Sequence, residues 1–105
     1  MSVRVSERRR SVRVLAAYPT VLTDERGRTL ARGRTANISE HGLFVVVSGR
    51  VPSPAGGSVV ARISVPATAE RGSNTRTVIY DCRIVRRQAL GQLLGLGVEF
   101  RKKLA

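Results

Sequence analysis

What most restricts the fold of this 105-residue chain is a two-residue alternation that recurs along it, broken at short intervals by turn-forming clusters. Val59, Ala61, Ile63 and Val65 alternate with Val60, Arg62 and Ser64. Tyr80, Cys82 and Ile84 alternate with Asp81, Arg83 and Val85, and Leu94, Leu96, Val98 and Phe100 with Gly95, Gly97 and Glu99. Successive strand side chains point to opposite faces, so this period belongs to strands buried on one side. The β-branched and apolar content predicts further strands over residues 14–22, 28–36 and 43–47, the last nearly continuous in apolar residues and so expected in the core. Pro19 predicts a bulge or an edge in the first of these. Between them, residues 24–27 read as a hairpin turn ending on glycine, 48–57 as a Pro/Gly loop, 66–74 as a polar loop and 88–92 as a turn. Residues 101–105 allow a short helical turn; elsewhere no amphipathic helix is convincing. Six short strands predict an all-β barrel or sandwich, and a barrel removes the exposed edges a small sheet must otherwise protect.

Composition narrows the class. The length is that of one domain able to form a core without disulfides or metal. No apolar run approaches the roughly 20 residues of a membrane-spanning helix. The arginines at the N-terminus have no apolar segment behind them, unlike a signal peptide. The single cysteine, Cys82, forms no internal disulfide or cysteine-rich zinc site. A cytoplasmic protein without a cofactor or metal fits these features. The net charge of +12 implies an anionic partner, whether nucleic acid, lipid, nucleotide or acidic protein.

Two stretches concentrate chemistry. Residues 1–13 carry Arg4, Arg8, Arg9, Arg10 and Arg13 against Glu7 alone. They predict a basic arm, mobile until a ligand neutralises it, ahead of a β-domain over residues 14–105. The second stretch is Arg34-Thr35-Ala36-Asn37-Ile38-Ser39-Glu40-His41-Gly42. Asn37 and Ser39 have short side chains that bond nearby backbone in turns, and Gly42 is expected to exploit its tolerance of positive φ. In isolation an N-x-S-x-x-G is a connection between strands, and an R-x-x-x-R arises by composition in so arginine-rich a chain.

Together, Arg9-x-x-x-Arg13 ahead of the first strand and Asn37-x-Ser39-x-x-Gly42 between two strands resemble the PilZ domain family, bacterial receptors for the second messenger cyclic di-GMP. Residues 94–100, Leu-Gly-Leu-Gly-Val-Glu-Phe, look like that family's closing strand, so the resemblance covers nearly the whole chain. It implies a six-stranded antiparallel β-barrel of the split-barrel type. It also implies ligand contacts from Arg9, Arg13, Asn37, Ser39 and Gly42, with Arg8, Arg10, Arg34 and His41 as lesser candidates. The chemistry is consistent: a guanidinium forks onto phosphate oxygens, donates to the O6/N7 edge of guanine and stacks on purine faces. Asn37 and Ser39 would hydrogen-bond a guanine edge. The family often has Asp where this chain has Asn37, which removes a charge-assisted bond, and His41 is bulkier than the small residue often found there. Signalling would follow from ordering of the arm on ligand binding, read by an effector protein.

Other functions fare worse. His41, Cys82 and Asp81 can be written as a triad, but Asp81 and Cys82 are adjacent on a strand and point to opposite faces, so no enzymatic role is expected. Cys82 reads as core filler. A barrel binding RNA or single-stranded DNA would explain the charge, but such proteins stack bases on exposed rings. Here the rings are Tyr18, Phe44, Tyr80 and Phe100, and both phenylalanines fall where core packing is expected. A PilZ-like interaction module that has lost nucleotide binding is the other alternative.

Overall fold

A computed structural model describes residues 17–66 and 75–105. Six strands follow one another: β1 (Pro19–Thr23), β2 (Thr29–Ile38), β3 (Gly42–Gly49), β4 (Ser58–Pro66), β5 (Thr75–Leu90) and β6 (Leu93–Lys103). All pairings are antiparallel, and the order β1-β2-β3-β6-β5-β4 closes through β1 and β4 into a barrel. Closure leaves β1 paired on both sides, so Pro19 marks no edge. It stands at the first position of β1, and the register shift in that strand lies later, between Leu22 and Thr23.

The expected alternation sets the interior. Val59, Ala61 and Ile63 on β4 are buried, as are Cys82 and Ile84 on β5 and Leu96 and Val98 on β6. On β3 the buried residues are Leu43, Val45 and Val47, so Phe44 and Val46 face outward. An unbroken apolar run does not reveal which residues face in; pairing with β2 and β6 decides it. The expectation of Phe44 in the core is therefore corrected. Its ring lies on the outer face under the Arg86 guanidinium, 5.3 Å from the ring centroid, an arrangement in which the cation covers the apolar surface. Phe100 instead stacks on Tyr80 at 4.0 Å against the edge of the core.

Several boundaries also differ from expectation, among them the ends of β2 at Ile38 and of β3 at Gly49. β1 starts at Pro19, with residues 14–16 outside the described part of the chain. β5 continues to Leu90, so the turn expected over residues 88–92 shrinks to Gly91 and Gln92, Gly91 taking φ +67°. The chain end forms no helical turn. Ile79 donates its N–H to the Ala105 carbonyl at 3.0 Å, and its carbonyl accepts from Leu104 N–H at 2.7 Å, which extends the β6 ladder. Backbone groups beside an available strand gain more from completing that ladder than from a helix too short to propagate.

Candidate functional site

The turn between β2 and β3 is held by bonds of several kinds. Ser39 N–H donates to the Gly42 carbonyl at 2.9 Å, and His41 N–H donates to Ser39 Oγ at 3.3 Å. Ser39 Oγ also lies 3.4 Å from the Gly42 carbonyl as a weak donor. The turn is then tied to another strand, because Phe100 N–H donates to the His41 carbonyl at 2.8 Å. Glu40 and His41 form the exposed tip, with His41 Nε2 3.7 Å from Glu40 Oε2.

Gly42 is needed for a reason other than the one its sequence context suggests. Positive φ values belong to Gly27, Gly49, Gly56 and Gly91, and Gly42 has none. Instead it pairs with Glu99, and a Cβ at Gly42 would fall onto the Val98 carbonyl oxygen. The close backbone approach of β3 to β6 excludes any side chain.

A β-bulge between Thr35 and Asn37 sets the direction of the next side chains. Thr35 is buried opposite Val45, whereas Asn37 stands opposite the outward Phe44. One extra residue thus lets a buried position be followed, two residues on, by one on the outer surface. The row continues across the sheet: Phe44 pairs with Gly97, and Gly97 with Arg86. Arg86 and Phe44 escape a purely sequential reading because nothing in their local pattern links them to Asn37; only register does. Glu99 is a further neighbour, opposite Gly42 and held by Arg83 Nε at 3.3 Å.

The chain joins the barrel next to this turn. Arg34 Nη1 donates to the Ala17 carbonyl at 3.0 Å, Tyr18 N–H to Thr35 Oγ1 at 2.9 Å, and Thr35 N–H to the Tyr18 carbonyl at 3.0 Å. Arg34 therefore clamps the strand that follows the basic segment. Arg8, Arg9, Arg10 and Arg13 lie outside the described residues, while Asn37, Ser39, His41, Gly42 and Arg34 are gathered at one end of the β2–β3 hairpin.

The triad that can be written from the sequence is not assembled. Cys82 is fully buried in the core, and burial pushes its thiol up to about 12, far from thiolate chemistry. Asp81 lies on the opposite face, its carboxylate accepting from Arg101 Nη2 at 3.2 Å, and His41 is at the exposed turn. Among the described residues no cluster of His, Cys, Asp and Glu is arranged to hold a metal.

The PilZ domain profile matches residues 7–105, and the chain belongs to the PilZ domain family, a family of cyclic di-GMP receptor domains. Two solved structures share the fold. The Bacillus subtilis inhibitor of motility MotI/DgrA superposes with a TM-score of 0.73 at 21% identity, over 92% of this chain and 44% of that one. The PilZ domain of Escherichia coli YcgR, solved with c-di-GMP, superposes with a TM-score of 0.57 at 19% identity, over 89% of this chain and 77% of that one. The chain thus spans less than half the length of the Bacillus protein. No curated protein matches the sequence.

Proposed function

We propose that this chain is a cyclic di-GMP receptor whose arginine-rich N-terminal segment closes on a nucleotide seated at the β2–β3 turn. Arg9 and Arg13 take the phosphates and a guanine edge, Asn37 and Ser39 bond a guanine, and Gly42 keeps the turn backbone close to the ligand. Arg8, Arg10 and His41 flank the site, and Arg34 anchors the strand leading into it.

The observation that carries this reading is the fastening of Ala17 and Tyr18 to Arg34 and Thr35. Because β1 and β2 are antiparallel, with Pro19 opposite Arg34, Ala17 and Tyr18 lie toward the Asn37 end of β2. Arg13 precedes Ala17 by four residues, a reach of up to about 14 Å. Asn37 follows Arg34 by three strand residues, roughly 10 Å. Arg13 is therefore within range of the turn without any rearrangement of the barrel. Solution of the structurally similar YcgR domain with c-di-GMP supports the same choice of ligand.

Calorimetric titration with cyclic di-GMP, with GTP as decoy, tests the reading. Saturable binding that Arg9→Ala and Ser39→Ala both weaken is expected. An absence of heat and of any ligand-induced rise in Tm would overturn it. The signal is read by an effector protein through the closed segment, so hydrogen exchange over residues 1–13 is expected to slow at saturating ligand; unchanged exchange would remove that step. We take the receptor to act in the cytoplasm, which fractionation of tagged cells checks. Among the described residues no helix is long and apolar enough to cross a membrane.

A further inference from the structure

β5 runs sixteen residues, whereas its neighbour β4 has nine. The β4 register ends at Ser58 opposite Arg83. Two bonds carry pairing one residue further, from Gly56 N–H to the Ile84 carbonyl at 2.6 Å and from Ile84 N–H to the Gly57 carbonyl at 2.8 Å. Beyond Ile84, β5 pairs only with β6, from Arg86 opposite Gly97 to Leu90 opposite Leu93. Among the described residues no backbone group bonds the other edge of residues 85–90. Arg87 reaches across with its guanidinium to the carbonyls of Val51 and Ser53, at 2.8 and 2.6 Å, so the loop there is met by a side chain and not by the β5 backbone. The same overhang exposes Val85, Leu90 and Leu93, three of the four exposed large hydrophobic residues among those described.

An open ladder edge with apolar side chains beside it accepts a further strand. Charge selects which strand. Residues 82–98 contain Arg83, Arg86 and Arg87 and no acid. Arg83 is already paired with Glu99, which leaves Arg86 and Arg87 as the cations of the overhang. A second copy of the chain adding here would set these arginines near their own counterparts, and like charges across a strand pair are destabilising. The arginine-rich residues 1–13 are disfavoured for the same reason. A strand that alternates acidic and aliphatic residues matches both the charge and the apolar surface.

We infer that the β5 overhang is a docking edge that takes an extended acidic segment of a partner protein by strand addition. The docking edge lies on the β5–β6 hairpin and uses none of the nucleotide ligands proposed above; Arg86 also covers Phe44 beside Asn37, so the edge is probed in the absence of nucleotide. The test uses the full 15N-labelled chain without nucleotide. The probe is a capped octapeptide alternating Glu and Val, with its Lys/Val counterpart as control. Saturable amide shifts and slowed exchange clustered at residues 85–90 are expected, with the Lys peptide weaker by about tenfold or more. Arg86→Glu, checked for folding by circular dichroism, offsets the charge of Arg87 and should abolish the preference between the two peptides. Three results would overturn the inference: shifts scattered over the barrel without protection at residues 85–90, equal response to both peptides, or sedimentation showing that the chain pairs with itself through this edge.

Discussion

Two turns near the start of the domain use similar residues for different ends. In the turn over residues 24–27, Asp24 Oδ1 accepts from the N–H groups of Arg26 and Arg28, each at 2.9 Å, and Oδ2 accepts from Arg28 Nε at 2.9 Å. Gly27 takes φ +88°, and a Cβ there would meet nothing within 4 Å. Every bond of that turn is local. The turn over residues 39–42 has one short internal bond, from Ser39 N–H to the Gly42 carbonyl, and longer side-chain bonds; its position comes from β6, through Phe100 N–H on the His41 carbonyl and the close approach of Gly42 to Val98. A locally closed turn connects strands and can do so anywhere. A turn held by a distant strand has a fixed position in the molecule, which is what a ligand site requires.

The sharpest way to break this contrast is to add a methyl group to each glycine. Gly42→Ala forces the β3 and β6 backbones apart and is expected to cost about 3 kcal/mol in urea unfolding, the upper end for overpacking, and to abolish cyclic di-GMP binding. A loss below about 1 kcal/mol would mean that the approach to Val98 is easily relaxed. Gly27→Ala meets no atom, but it places a Cβ in the left-handed region, at a cost of about 1 kcal/mol. Nucleotide affinity should be unchanged in that variant. If Gly27→Ala weakened binding as much as Gly42→Ala, the two turns would not be separable.

Ser39→Ala sharpens the comparison within the second turn. Its hydroxyl makes bonds of 3.3 and 3.4 Å, too long to contribute much. Stability should fall by about 0.5 kcal/mol or less, while cyclic di-GMP affinity falls by tenfold or more, roughly 1.4 kcal/mol. Parallel losses in unfolding and binding would assign Ser39 to the turn instead of the ligand.

The same division explains how much the sequence discloses. Period-two burial is a local property, so the strand interiors at Val59, Ala61 and Ile63, at Cys82 and Ile84, and at Leu96 and Val98 could be read directly; the pattern left barrel and sandwich open, and the choice of a six-stranded barrel followed from the resemblance to PilZ domains. Asp24 and Gly27 were legible because their turn is local. Gly42 was recognisable as a special glycine, but the reason lies in Val98, 56 positions away, and no neighbouring residue encodes it. Phe44 was misplaced because a fully apolar run carries no facing signal. Gln88, Ala89 and Leu90 read as part of a turn from the sequence. They remain in strand because both faces of the overhang can be wet while β6 completes one side of the ladder. The juxtaposition of Asn37 with Phe44, Gly97 and Arg86 depends on a bulge and on register, neither of which has a composition. Placement of Arg9 and Arg13 relative to the turn belongs to the titration experiment, since these residues fall outside those described.

The smallest expected effect is a pH dependence confined to the first turn. The Asp24 carboxyl is held below its usual value, chiefly by the Arg28 backbone N–H, with the Arg28 side chain and Arg26 N–H adding to it and partial desolvation opposing. A carboxyl whose folded pKa is depressed contributes stability above its unfolded pKa and loses that contribution as pH falls through the folded value. Asp24→Asn keeps the shape but discards the charge. The variant should therefore be slightly less stable than the parent at neutral pH, and the two Tm values should converge below about pH 4, where the unfolded carboxyl begins to protonate. Its partner Arg28 is exposed, so salt should also narrow the gap. A difference that persists unchanged to pH 2 would show that the loss comes from the acceptor bonds asparagine cannot make, such as that from Arg28 Nε, and not from the charge.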